Sequence, residues 1–318
     1  MYSRIATLAL AGVIAFINPM IHYGVNYAPS GTKKTVETVR ENYQFLDVFR
    51  ETHEAKLEEK AATNPYVKSG YEYYTVGNEG ARSDKVGASQ RDCRPGTKGA
   101  QTLGFNGIIK YEDSQYTSRF GIDVSKYQGK INWKKVKNAG AEFAILRIGY
   151  RGYGKSGNIK EDTCFFQNFK GAKEVGLDVG VYFFSQAVNE KEAIEEAQYV
   201  LKMLDGEKLQ MPIVYDPEHI LNDTARTDDV TGEQFTKNAI AFCETIRKAG
   251  YEPMVYANML WEAYEFTMSD LAGIPIWYAD YELLPQSPYE FSMWQYSQAG
   301  KIDGVSGSVD FNIQFVKR

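Results

Sequence analysis

Two carboxylates, Asp216 and Glu218, close the apolar run 212–215 in the stretch PIVYDPE. Residues i and i+2 of an extended chain share a face. Pro217 between them biases Asp216 to extended angles and fixes its own φ. Both side chains are therefore expected in one cleft. Two like charges that close do not ionise together easily, so one pKa should rise. A protonated acid beside an ionised partner is what cleavage of a glycosidic bond requires. Glu218 has the longer reach and lies nearer the rim, so it is read as the general acid. Asp216 is read as the anion that supports positive charge near an anomeric carbon. Asp123 in FGIDVS, Asp280 after PIWYA and Asp310 in SVDFN also fall at ends of strand-like runs. Each has a plainer alternative: a turn cap with Ser125 for Asp123, a surface carboxylate for Asp310, and a loop hydrogen bond for Asp280.

The elements that would position these groups begin after Ser118. Strand-like runs at 120–124, 143–148, 179–184, 212–215 and 254–256 are each followed by helical periodicity: near 133–138, then 162–175, 190–204, 232–249 and near 260–266. Three further strand-like runs, 276–279, 290–296 and 308–311, have only loops between them. Five strand–helix units followed by three bare strands predict an α/β fold, an irregular TIM-like (β/α)5β3 barrel over 118–318. Catalytic groups of such barrels sit where strands end, at one rim.

Upstream the texture differs. Arg4 precedes an apolar run over 5–17, which fits a signal peptide or a short signal-anchor within 1–30. Either would export the chain to the cell surface or beyond, with membrane anchoring or a surface or secretion assembly as the attendant partners. Residues 31–117 read as a stalk helix, from a stripe of Val36, Val39, Tyr43, Leu46 and Phe49, and then a Gly/Ser-rich linker that could carry a few short strands. Composition narrows the function classes. A net charge of −5 lacks the basic balance of a nucleic-acid binder. Three cysteines and three histidines form no metal motif, and no phosphate loop or nucleophile elbow is present, so no cofactor or metal is expected. The 23 tyrosines and 4 tryptophans suit a cleft in which ring faces stack on sugars.

These motifs resemble glycoside hydrolase family 25, the Chalaropsis-type lysozymes. GIDVSKYQGKINW (121–133) is similar to the family's opening motif, and PIVYDPEHI (212–220) to its strand-four Asp-x-Glu signature. YFFSQA (182–187), PIWYADY (275–281), MWQYS (293–297) and GSVDFN (307–312) follow in the same order. The resemblance covers about 200 residues, from Arg119 onward. It implies a muramidase, a lysozyme that hydrolyses the β-1,4 bond between N-acetylmuramic acid and N-acetylglucosamine, with peptidoglycan glycan strands as partner. It maps the acidic cluster onto Asp123, Asp216, Glu218 and Asp310, with Glu218 the proton donor. Asp216 would activate water or steer the substrate's own 2-acetamido group. Pro217 departs from the small or β-branched residue expected between the two acids.

Tyr182, Phe184, Tyr215, Trp277, Tyr278 and Trp294 are candidate subsite walls, and Gln186 and Gln295 candidate hydrogen-bond partners of substrate. Arg147 is read as pairing with the acidic cluster, with a peptide-stem carboxylate, or with a structural carboxylate. His219 should point away from the cleft. A peptidoglycan-binding module without catalysis and a glycosidase of chitin-like polymers are the competing readings.

Overall fold

The computed structural model of the protein describes residues 72–77, 80–85, 107–111, 116–220, 223–258, 261–281, 287 and 289–318. The expected signal or anchor and the stalk helix lie outside the described residues. Among those described, no helix is long and apolar enough to cross a membrane.

Eight strands close into a barrel. They are β4 (Tyr116–Val124), β5 (Phe143–Arg151), β7 (Asp178–Ser185), β8 (Ile213–Pro217), β9 (Pro253–Asn258), β10 (Ile276–Ala279), β11 (Met293–Gly300) and β12 (Val309–Lys317). Neighbours from β4 through β11 run parallel. The last strand, β12, lies antiparallel between β11 and β4 and shuts the ring. Helices α1 (Trp133–Asn138), α2 (Phe165–Glu174), α3 (Glu190–Leu204) and α4 (Gly232–Lys248) follow the first four of these strands, and a π-helical turn, Trp261–Glu265, follows β9. The final three strands have no helix among the described residues between them. One element was not foreseen: a short strand β6 (Ile159–Glu161) folds back antiparallel on the end of β5.

Sequence sets these elements locally. Asn189 caps α3, its side chain accepting from the Glu192 N–H, and Asp205 ends the helix in the left-handed region at φ 47°. Ala193, Ala197, Val200 and Leu204 place the buried stripe of α3 at helical spacing. Thr231 caps α4 in the same way, and Phe235, Ala239, Phe242 and Ile246 face inward. Burying each such Phe, Leu or Ile contributes about 1.5–3 kcal/mol.

Along the strands, side chains alternate between two apolar layers. Ile122, Leu146, Val181, Tyr215, Val255, Tyr278 and Trp294 join the layer beneath the helices. Phe143, Ile145, Val214, Met254, Tyr256, Trp277 and Met293 fill the barrel interior. Gly121 makes room there, since a Cβ on it would lie 2.4 Å from the Phe143 ring.

Part of the stretch expected as linker is ordered. Strands β1 (Glu72–Gly77) and β2 (Gly80–Lys85) form an antiparallel hairpin, and β3 (Ile108–Lys110) pairs with β1. Ile108, Ile109 and Tyr111 are buried against the barrel. The Tyr296 hydroxyl donates to the Gly107 carbonyl, and Tyr111 meets Phe315 edge-on. The packed unit therefore includes residues 107–111, upstream of the expected start at 118.

Candidate active site

All four expected carboxylates reach one rim of the barrel. Asp123 stands near the end of β4. Asp310 opens β12, which runs the opposite way, and pairs in register with Asp123. Asp216 lies at the end of β8 and aligns with Phe184 of β7. Glu218 follows just beyond the strand. Pro217 is the last residue of β8, and the ladder to β9 has already ended at Tyr215–Val255. No strand hydrogen bond to β9 is demanded of it, which is why a proline fits between the two acids.

Asp123, Asp216, Glu218 and Asp310 line a cavity of about 340 Å³ together with Tyr182, Trp277, Gln295, Tyr256, Tyr281 and Gln298. Phe184 lies alongside, in an adjoining arm of about 700 Å³ that shares the four carboxylates. Three expected wall residues lie elsewhere. Tyr215 packs on Phe242 behind the sheet, with ring centroids 5.1 Å apart. Tyr278 stacks on Phe291, and Trp294 donates its indole N–H to the Asp280 carbonyl. The physical reason is strand alternation: their neighbours Asp216, Trp277 and Gln295 face inward, so these three point away from the barrel interior. Asp280 is a loop partner, accepting from the Tyr278 hydroxyl at 3.1 Å.

A hydrogen-bond lattice supports Asp123. Its Oδ2 accepts from Asn312 Nδ2 at 2.8 Å and Gln295 Nε2 at 2.9 Å. The Trp277 indole N–H holds Asn312 at 2.8 Å. Tyr256 and Tyr281 both donate to Gln295 Oε1, at 3.0 and 2.9 Å. Tyr256, Tyr281 and Asn312 were missed in the sequence. Asn312 stood inside the quoted motif GSVDFN, two residues from Asp310 and so on its face. Tyr281, beyond the end of β10, closed the quoted motif PIWYADY but had no strand alternation to say which way it faced.

Burial raises the pKa of every member of the cluster. Asp123 is pushed up to about 6 by burial, against the hydrogen bonds from Asn312 and Gln295. Glu218 rises to about 7, through burial and then the charge of Asp123, with Arg147 pulling the other way. Asp216 is pushed well above the usual carboxylate range by burial, Glu218 and Asp123. Its Oδ1 is buried without a hydrogen-bond partner. Asp310 rises well above the usual range for like reasons. Burial and mutual repulsion therefore push both central acids toward their protonated forms. The simple division into protonated Glu218 and ionised Asp216 is not imposed by the protein alone, because Asp216 is the more deeply buried of the two.

The segment carrying Glu218 is clamped from behind. Gln186 Nε2 donates to the Glu218 carbonyl, and Thr227 Oγ1 fixes Gln186 at 3.0 Å. His219 turns away from the cavity, stacks on Trp261 at 4.9 Å and pairs with Glu265 at 3.1 Å. Arg147 forms a buried ion pair with Asp162 at 2.7 Å, the structural partner among its three expected readings. Among the described residues, no group of three or more His, Cys, Asp or Glu side chains is arranged to hold a metal.

This geometry suits acid-assisted cleavage of a bond to oxygen in a sugar: a raised-pKa carboxyl beside further carboxyls, walled by Tyr182, Tyr256 and Trp277. Comparison with known proteins agrees. The sequence profile described as Glycosyl hydrolases family 25 matches residues 122–305. The autolytic lysozyme of Clostridium acetobutylicum is 26% identical over 195 residues, covering 60% of this chain and 54% of that one. Lysozyme M1 of Streptomyces globisporus is 28% identical over 201 residues, covering 60% of this chain and 66% of that one. Among solved structures, the modular autolysin LytC from Streptococcus pneumoniae in complex with synthetic peptidoglycan ligand superposes with a TM-score of 0.53 at 26% identity, covering 63% of this chain and 47% of that one. The chain thus spans about half the length of the first relative and of this structural neighbour.

Proposed function

Because the chain belongs to glycosyl hydrolases family 25, a family to which lysozymes similar to it point as peptidoglycan hydrolases, we propose that it is a muramidase (lysozyme, EC 3.2.1.17). It cleaves the β-1,4 bond between N-acetylmuramic acid and N-acetylglucosamine. The observation that carries this reading is the convergence of Asp123, Asp216, Glu218 and Asp310 in one aromatic-walled cavity. Glu218, with its pKa near 7, donates its proton to the leaving oxygen. Asp216 supports positive charge at the anomeric carbon, or activates water or the 2-acetamido group that attacks it. The developing charge favours the ionised form of Asp216, offsetting the burial that raises its pKa. Asp123 and Asp310 hold the cluster, Asp123 through Asn312 and Gln295.

In this proposal residues 118–318 form the catalytic barrel. The apolar run after Arg4 exports the chain, cleaved as a signal or kept as an anchor, and the stretch from 31 to the packed residues 107–111 spaces the barrel from it for local wall remodelling or lysis. The experiment is release of reducing ends from purified cell walls by the full chain and by Glu218→Gln and Asp216→Asn. Removal of a general acid costs about 10²–10⁴-fold. Wild-type release with both variants crippled supports the proposal. Activity on chitin oligomers but not walls, or binding to walls without turnover, selects the competing readings.

A further inference from the structure

The arm of the cleft beside the carboxylates reverses its electrostatic character. Its lining includes Lys126, Arg147 and Lys160, with Tyr127, Tyr150 and Tyr153 between them. A bulge in β5 between Arg147 and Gly149 produces this wall. The extra residue restores the facing of Tyr150, which aligns with Phe184, while Arg147 aligns with Tyr182. Both side chains therefore reach the same arm. The Arg147 guanidinium lies 5.5 Å from the centre of the Tyr150 ring and 5.1 Å from that of Tyr127, and the Lys126 ammonium packs on the same two rings.

Arg147 is only 9% exposed, and its Nε is committed to Asp162. Its Nη2 is buried and has no hydrogen-bond partner. A buried guanidinium donor left unmatched costs more than a neutral one, so such a group in a cavity wall marks a place for an acceptor. Asp162 is spent on Arg147, the Lys126 N–H and the Cys164 N–H. Arg151, also in the wall, is held by Glu192, Glu195 and Glu196. That leaves the second nitrogen of Arg147 and the ammonium groups of Lys126 and Lys160 to meet an anion.

We propose that this arm is a carboxylate-recognising subsite, which takes a carboxylate carried by the glycan strand next to the scissile bond. The inference rests on the muramidase reading and deepens it. Such strands carry carboxylates from two sources, the lactyl ether of the muramoyl residue and the peptide attached to it. Arg147 and Lys126 supply the charge, and the exposed rings of Tyr127 and Tyr153 supply the apolar rim.

The test measures kcat and KM separately on three preparations of soluble strands: peptide-bearing, amidase-stripped to free the lactyl carboxylate, and carbodiimide-amidated so that no carboxylate remains. Wild type is expected to show a KM about tenfold higher on amidated strands with kcat within twofold. Lys126→Met, on a half-exposed side chain, tests the wall without threatening the fold. It is expected to raise KM severalfold on carboxylate-bearing strands and to lose the response to amidation. A preference for stripped strands assigns the subsite to the lactyl group, and for peptide-bearing strands to the stem. Equal KM on all three preparations, an effect on kcat alone, or a Lys126→Met enzyme that responds to amidation as wild type does overturns the proposal. Hydrolysis of none of them would instead overturn the muramidase reading, so the two failures are distinct.

Discussion

Replacing Glu218 with Gln should do more than remove a proton donor: it should make the protein more stable, and only at higher pH. The Glu218 carboxyl is raised from 4.5 to about 7 in the folded chain. The folded state thus prefers the protonated form, and the corresponding stability is fully present below about pH 4.5. As pH rises through 7 the buried group ionises against its surroundings and that stability is lost. The difference between 4.5 and about 7 corresponds to about 3 kcal/mol, at about 1.4 kcal/mol for each tenfold step in proton affinity. Gln has nearly the same shape and cannot ionise, so Glu218→Gln escapes the loss. Asp123 shares the electrostatic strain, so about 3 kcal/mol is a ceiling. Urea unfolding of both proteins at pH 4 and pH 8 reads the difference directly. Near-equality at pH 4 and an advantage of roughly 1–3 kcal/mol for Glu218→Gln at pH 8 is the expected pattern. A difference independent of pH, or a wild type that is the more stable at pH 8, would refute the reasoning that burial strains this carboxylate.

Three further outcomes follow from the same structure. Hydrolysis should decline above pH about 7 as Glu218 loses its proton; a rate of reducing-end release that stays flat to pH 9 would count against Glu218 as acid. Arg151→Met should destabilise the barrel by about 3–5 kcal/mol in urea unfolding, because it strands a fully buried carboxylate, Glu196, now held at 2.7 Å by Arg151. Asp216→Asn should cut kcat by about 10²-fold or more while leaving the fold intact by circular dichroism; near-wild-type turnover would remove Asp216 from the chemistry.

Much of the fold was written locally. The five strand–helix units and three bare strands were legible because each strand–helix unit switches from β-branched and aromatic runs to helical periodicity. The four carboxylates were legible because Asp123, Asp216 and Glu218 lie at or just past the ends of parallel strands and Asp310 at the start of the antiparallel β12, so all four meet at one rim. The aromatic walls were read less well. Tyr215, Tyr278 and Trp294 were grouped with residues adjacent to them in sequence. Period two forbids both members of Tyr215–Asp216, Trp277–Tyr278 or Trp294–Gln295 from facing one cavity, and the carboxylate Asp216 and the amide Gln295 should have decided the first and last pairs. Tyr281 was beyond such reasoning, since a loop residue carries no alternation. The bulge that turns Arg147 and Tyr150 into one arm lies in the pairing of β5 with β7, and strand alternation read from the sequence alone does not show a register shift. The upward push on the Asp216 pKa could not be read from its spacing to Glu218, because its burial is set by the whole barrel.

The most direct test of the central claim is the identity of the new reducing end. Purified peptidoglycan is digested with the full chain, the products are reduced with borohydride, and the released fragments are analysed by mass spectrometry. Ends reduced to muramitol, and their loss in digests with Glu218→Gln, are the predicted result. Ends reduced to glucosaminitol, or a Glu218→Gln digest indistinguishable from wild type, would contradict it.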